Sequence, residues 1–384
     1  MKRSSFVYAA SILAVGTLGA CTENNAASSG AGGLSVSSTN DACKVSATTA
    51  PSGNISFNVT NDGSKVTEFY LLAADGLRIV GEAENIGPGI SRKLVLQASP
   101  GKYITACKPG MTGTGIRADF TVTESGKAVA AGGVDVLLKT ATDQYLLYVR
   151  EQTAQLLEAT TAFAALYTAG KDDEARATYA SSRMHWERIE PVAESFGDID
   201  PLLDTREADL EPGQKWTGWH AIEKDLWPPA DGSYVASTPE QRKELAVKIV
   251  ADTTDLANRV STVTVSATQL GNGAKELLDE IATGKVTGEE EIWSHTDLWD
   301  FQANVEGARI AFEVLKPVLA VKDQALASTL TERFADVQAL LDKQRVGEGF
   351  TLYGDLTADE VKAFAAAVNG LAEPLSRLTA AVVL

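Results

Sequence analysis

Histidine is scarce in this chain: only His185, His220 and His295 occur in 384 residues. Any histidine-ligated metal site must therefore draw on the stretch from His185 onward. A blue-copper centre, which needs two histidines and a cysteine, has no histidine to draw on in the N-terminal third. H-E-x-x-H is absent too, so the chain lacks the paired histidines, one helical turn apart, of the common zinc peptidases. Long apolar runs are missing: Phe6 to Leu18 falls short of the ~20 residues of a spanning helix, and no later segment supplies them. Positive charge is outnumbered. Lys and Arg total 34 against 51 Asp and Glu, a net charge of -17, which repels phosphates and argues against nucleic acid as a partner. The carboxylate surplus suits a cation binder, although exported proteins are often acidic for solubility alone.

The three cysteines divide into one and two. Lys2 and Arg3 precede the short apolar run, and Leu18-Gly-Ala-Cys21 closes it, the layout of a bacterial lipoprotein signal over residues 1–21. Cys21 is then the lipidated N-terminus and residues 22–33, rich in Ala, Ser, Asn and Gly, a flexible tether. The expectation is an extracytoplasmic protein, periplasmic or at the cell surface, held to the membrane by a lipid anchor. Cys43 and Cys107 then face an oxidising compartment, where a disulfide is the default. The alternative is that both thiolates join carboxylates around a metal.

Two textures follow. Over residues 34–123, short β-type runs such as Ile55-Ser-Phe-Asn-Val59, Glu68-Phe-Tyr-Leu-Leu72, Leu77-Arg-Ile-Val80 and Tyr103-Ile-Thr-Ala-Cys107 alternate with turn signals at Asn61-Asp-Gly63, Gly87-Pro-Gly89 and Ser99-Pro-Gly101. This spacing predicts a small β-sandwich, similar to a cupredoxin but without its histidines. A Gly/Ala-rich linker is expected at 124–134. From residue 135 to 384 the period becomes helical, with helices expected at Val136 to Ala169, Asp172 to Ile189, Trp219 to Leu226, Thr268 to Thr283 and Glu289 to Ala320, among others. The fold class is thus β plus all-α: a cupredoxin-like sandwich, then a helical domain forming one large bundle or two adjacent four-helix bundles.

Within the helical part, Trp216-Thr-Gly-Trp-His-Ala-Ile-Glu-Lys-Asp-Leu-Trp227 sets His220 and Glu223 three residues apart, on one face of a helix. An imidazole beside a carboxylate suits iron, manganese or zinc. Two residues cannot fill a coordination sphere, so further ligands must come from elsewhere. Glu187, Glu190 and Glu194 follow i, i+3, i+7 spacing, with Pro191 kinking the segment, and Glu190 and Glu194 are taken as ligand candidates. The alternative is a solvated face paired with Arg183 and Arg188. Downstream, Glu289-Glu-Glu-Ile-Trp-Ser-His-Thr-Asp-Leu-Trp-Asp300 is a second acidic cluster. Asp297 is the candidate there, with helix bracing as its alternative role and His295 as a possible orienting partner.

Longer stretches carry a resemblance: Tyr179-Ala-Ser-Ser-Arg183, Trp186 to Gly197, Gly218-Trp-His-Ala-Ile-Glu-Lys-Asp-Leu-Trp227, Gly284 to Gly307 and, in the β part, Val80-Gly-Glu-Ala-Glu-Asn-Ile-Gly-Pro-Gly89. Through these the chain resembles the EfeO family of iron-binding lipoproteins of EfeUOB-type ferrous iron uptake systems, whose helical part is an imelysin domain. The resemblance implies an iron-binding transport component rather than an enzyme, with a membrane iron permease and a heme peroxidase of the same system as partners. It marks Cys43, Glu68, Glu82, Glu84 and Cys107 as family-like, with Glu68, Glu82 and the two cysteines a tentative second metal site. Ferrous or ferric iron is the expected ligand, with zinc or copper as competitors. Two other classes stay open: a metal-dependent hydrolase, argued only by the peptidase label of imelysin domains, and a carbohydrate or polyanion binder.

Overall fold

The computed structural model describes residues 33–74, 76, 79–98, 100–111, 114–125 and 133–384. The expected signal segment, Cys21 and the tether up to residue 32 lie outside these, as do Leu77 and Arg78 of one expected strand and residues 126–132 of the expected linker.

An N-terminal β domain precedes a helical domain. Among the described residues its strands are β1 (Leu34–Ser38), β2 (Cys43–Val45), β3 (Thr49–Pro51), β4 (Gly53–Asn61), β5 (Thr67–Ala73), β6 (Ile79–Ile86), β7 (Ser91–Ala98), β8 (Gly101–Cys107) and β9 (Ile116–Thr123). They form two sheets, ordered β2-β1-β4-β7 and β3-β9-β8-β5-β6. Alternate residues of β4, Ile55, Phe57 and Val59, point into the space between them, as the two-residue strand period requires. There Phe57 meets Phe69 and Phe120 at ring-centroid distances of 5.0 and 5.7 Å. A Cys43–Cys107 disulfide ties β2 to β8. The metal-ligand alternative for these two cysteines is thereby corrected: a sulfur bonded to sulfur is no longer the thiolate a metal takes.

The helices are α1 (Gly133–Thr168), α2 (Asp172–Glu187), α3 (Glu190–Glu194), α4 (Asp200–Leu203), α5 (Trp219–Leu226), α6 (Pro239–Thr262), α7 (Ala267–Thr283), α8 (Asp297–Lys322), α9 (Gln324–Lys343), α10 (Ala358–Leu375) and α11 (Leu378–Val383). Local chemistry sets several of their starts. Thr238 with Gln241, Ser266 with Gln269 and Thr357 with Glu360 each form a reciprocal capping box, which satisfies amides that have no partner inside the helix. Along α1, Tyr145, Val149, Thr153, Leu156, Thr160, Phe163 and Tyr167 are buried at three- and four-residue intervals. Buried apolar side chains from the long helices make one continuous core. The β domain rests on its flank, with β6 and β7 against α7 and β7 against α11.

Two helical expectations change. The helix expected from Glu289 begins only at Asp297, because the amides before it bond to side chains: Trp293 N and Ser294 N donate to Glu223 Oε1 at 3.1 and 2.7 Å, and Glu291 N donates to Asp297 Oδ1 at 3.2 Å. His295 also takes the left-handed conformation, φ 58°, which no α-helix contains. Further upstream, Glu187, Glu190 and Glu194 do not share one continuous helix. The helix is interrupted between Glu187 and Glu190, and Pro191 sits in the first turn of α3, where its missing N–H costs least.

Candidate metal centre

The centre is built around α5. Gly218 precedes it at φ 88°, a conformation open to glycine and costly for other residues. A Cβ there would lie 2.1 Å from the Leu203 carbonyl oxygen, so the glycine lets α5 sit directly on the end of α4. Gly218→Ala is expected to destabilise the fold by about 2–3 kcal/mol, through clash and backbone strain. Chemical unfolding checks this; a loss within experimental error would mean that α4 and α5 are free to separate. Seven of the eight α5 residues are buried. Trp219 anchors the helix against Phe163 and Tyr179, 5.3 and 5.8 Å away by ring centroids.

This packing places His220 in the interior with 1% of its surface exposed. Its Nδ1 lies 3.3 Å from Glu223 Oε2. Nε2 faces the other way, 3.3 Å from Asp204 Oδ1 and 3.6 Å from Glu290 Oε1, yet it has no hydrogen bond. Glu223 is itself fixed by the Trp293 and Ser294 amides on its other oxygen, so it orients the imidazole as well as neighbouring it.

The surrounding carboxylates converge on Arg183, which is fully buried on α2. Its guanidinium pairs with Asp204, with Glu187 at 2.6 Å, with Glu290 at 2.9 Å, with Glu291 at 2.7 Å and with Asp300 at 3.5 Å. Trp186 Nε1 donates to Asp204 Oδ2 at 2.7 Å, and Tyr179 Oη donates to Glu291 Oε1 at 3.2 Å. A second buried cation, Lys285, meets Glu187 at 2.6 Å, Glu190 at 3.4 Å and Glu280 at 3.5 Å.

Asp204 and Glu290 also line a cavity of about 520 Å³ that runs out past Glu190, Glu194, Asp200 and Glu280 towards the β domain at Lys108. Groups able to hold a cation succeed one another along this route. In each, the ligand atoms lie within 4.8 Å of one another: Asp204/His220/Glu290, Glu190/Asp200/Asp204 and Glu190/Glu194/Glu280. Glu194 also groups with Glu82 of the β domain and with Glu276, which do not line this cavity. On the Nδ1 side of the ring, His220, Glu223 and Glu291 form a further such group.

Of the residues singled out by spacing, His220 and Glu223 are therefore neighbours, and Glu190 and Glu194 lie on the adjoining cavity. Asp297 does not reach His220; its Oδ1 caps the Glu291 amide, and its Oδ2 is buried without a partner. His295 is exposed and lines a separate surface hollow with Trp227 and Trp293. Glu68 accepts a hydrogen bond from Tyr70 at 2.6 Å, whereas Glu82 joins helical-domain carboxylates instead of Glu68. Asp204, Glu280, Asp200, Lys285 and the central role of Arg183 were not indicated by sequence spacing. The run Glu289-Glu-Glu was the one signal for Glu290 and Glu291.

Burial and charge act against each other here. Burial alone would keep Asp204 protonated, but Arg183 and His220 hold it well below the usual carboxylate range. Glu290 is likewise favoured in its neutral form by burial, yet Lys285, His220 and Arg183 bring it down to about 2. For His220, burial and Arg183 oppose protonation, and the carboxylates of Asp204, Glu223 and Glu290 outweigh them, raising its pKa well above the ordinary value. Further out, cations are fewer. Burial, then mutual repulsion, raises Glu190, Glu194 and Glu280 well above normal and pushes Asp200 up to about 7 and Glu276 up to about 8.

A pH dependence follows from these outer groups. Between their ordinary values and the raised ones they bind more protons folded than unfolded, so stability falls as pH rises through that window. The raised His220 acts in the same direction, while the depressed Asp204 and Glu290 act only in more acid solution. The metal-free protein is expected to melt at a lower temperature at pH 8 than at pH 5, with a divalent cation removing part of the difference. A melting temperature that is flat or rises over this range would contradict the repulsion.

The imelysin family model matches residues 141–378. An Efem/EfeO family lipoprotein of Staphylococcus haemolyticus (strain JCSC1435) is 41% identical over 244 residues, covering 63% of this chain and 83% of the relative. The iron uptake system component EfeO of Escherichia coli (strain K12) is 37% identical over 308 residues, covering 79% of each chain, and its counterpart in Shigella flexneri matches to the same extent. With this coverage, and with His220 and Glu223 set in the helical domain, the chain belongs to the imelysin family and, within it, to the EfeO-type proteins.

Proposed function

We propose that this protein captures iron outside the cytoplasm and passes it to a membrane permease, as a binding component without turnover of its own. The observation that carries this reading is the buried His220 Nε2, which has no hydrogen bond and faces Asp204 and Glu290 at the inner end of an acidic cavity. Nitrogen and carboxylate donors together suit iron, and zinc or copper can compete for them. His220 Nε2, Asp204 and Glu290 would be the ligands. Glu223 would hold the Nδ1 side, in the manner of the outer carboxylates that fix metal-bound histidines. Glu190 and Glu194 would line the approach. Protons compete with the metal for the imidazole nitrogen and the carboxylate oxygens, so affinity falls as pH drops.

The relatives' names support an iron uptake role and a lipoprotein location. Among the described residues no helix is long and apolar enough to cross a membrane, and attachment through lipidated Cys21 is part of the proposal. So are the partners, a membrane iron permease and a heme peroxidase of the same system. The test is metal analysis with titration calorimetry on the mature protein, using ferrous iron without oxygen, ferric iron, zinc and copper, for wild type and a His220→Ala/Glu223→Ala variant. Tight stoichiometric iron binding that the variant loses supports the reading. Binding that survives unchanged in the variant means that this pair is structural.

A further inference from the structure

We propose that Lys285 is a built-in counter-cation of the cavity, which an arriving metal ion displaces, and that it keeps the bound metal exchangeable. The inference rests on the metal-capture reading and adds a regulating residue to it. Lys285 follows the C-terminal cap of α7 in a single turn, Lys285–Thr287, and only 2% of its surface is exposed. Lysine is almost never buried to this degree unless it is paired. Its ammonium stands among Glu187, Glu190 and Glu280 at 2.6, 3.4 and 3.5 Å.

The position of that ammonium is what gives it a role. Glu190 and Glu280 form a cation-holding group with Glu194, and Glu190 also groups with Asp200 and Asp204, the latter a neighbour of His220. A metal ion moving inward therefore meets Glu190 and Glu280 already paired with Lys285 before it reaches His220 Nε2, which has no hydrogen bond. The two buried cations differ in what they can do. Arg183 is a planar fork held by five carboxylates, whereas a lysine ammonium is a point charge on a flexible stem. Lys285 lines a cavity of about 520 Å³, which leaves the stem room to retract. Removing its charge should leave the path more negative and strengthen cation binding.

The experiment measures zinc and ferrous iron affinity and dissociation rate for wild type, Lys285→Met and Lys285→Arg, with melting curves in metal-free and metal-loaded forms. Lys285→Met is expected to bind at least about tenfold more tightly and release more slowly, from the added net negative charge alone. Its metal-free form should melt below wild type and its loaded form should close that gap, while Lys285→Arg, whose planar fork is harder to displace from several carboxylates, should bind the metal more weakly than wild type. Equal or weaker affinity in Lys285→Met, or a melting deficit that is the same with and without metal, overturns the proposal and leaves Lys285 a structural ion-pair partner. If Lys285→Met does not fold without metal, Lys285→Gln, whose amide can still donate to Glu187, replaces it in the same comparison. Unchanged affinity in Lys285→Met alongside lost binding in His220→Ala defeats this inference alone. Unchanged binding in His220→Ala defeats the capture reading beneath it.

Discussion

Replacing His220 by alanine is expected to lower iron affinity by at least about 100-fold, while Glu223→Gln should cost about 10- to 100-fold, the range seen when an orienting outer partner is lost. The difference comes from which ring nitrogen is available. Nδ1 is engaged by Glu223 at 3.3 Å, and Glu223 is anchored in turn by the Trp293 and Ser294 amides. Nε2 has no hydrogen bond and faces Asp204 and Glu290. Deleting the imidazole removes the only nitrogen donor in the group, whereas neutralising Glu223 leaves it present but less firmly aimed. Calorimetry on both variants, with circular dichroism to check that α5 is intact, measures the two losses. If Glu223→Gln proves as damaging as His220→Ala, the metal sits on the Nδ1 side with Glu223 and Glu291, the other group the geometry allows.

Arg183→Met should destabilise the protein by about 3–5 kcal/mol, the cost of breaking a buried ion pair by removing one partner. Five carboxylates, Glu187, Asp204, Glu290, Glu291 and Asp300, would then be buried around an uncharged thioether. Protonation relieves part of this, so the deficit should shrink in acid, where Asp300 and Glu291, both raised by burial, take up protons first. Arg183→Lys should recover little, because one ammonium cannot reach five carboxylates that a planar fork serves from three nitrogens. Urea unfolding at pH 5 and pH 8 gives both numbers. A loss below about 1 kcal/mol would show that these carboxylates are already protonated in the folded protein, and that Arg183 is not what holds them together.

Much of the architecture was legible before any coordinates. The switch from two-residue to helical periodicity anticipates a β region followed by a helical domain, and His220 and Glu223 are neighbours because a helix brings i and i+3 together. Where reading along the chain failed, tertiary contacts had overridden local pattern. The Glu289 to Thr296 stretch has helical composition, but Glu223 takes the amides of Trp293 and Ser294. Asp297 has ligand-like spacing, but it caps Glu291.

The sequence by itself determined which residue types can bind a metal here, the scarcity of histidine that confines a nitrogen-ligated site to the helical domain, and the pairing of His220 with Glu223. Tertiary structure alone decided that Asp204 and Glu290 stand at Nε2, that Arg183 gathers five carboxylates, that Lys285 occupies the cavity wall, and that Glu82 of the β domain meets Glu194 and Glu276. The physical reason is range. Helical period acts between residues a few positions apart, as it does for Arg183 and Glu187, while the other groups lie tens to more than a hundred positions apart and meet only because burial of the shared apolar core brings their helices together.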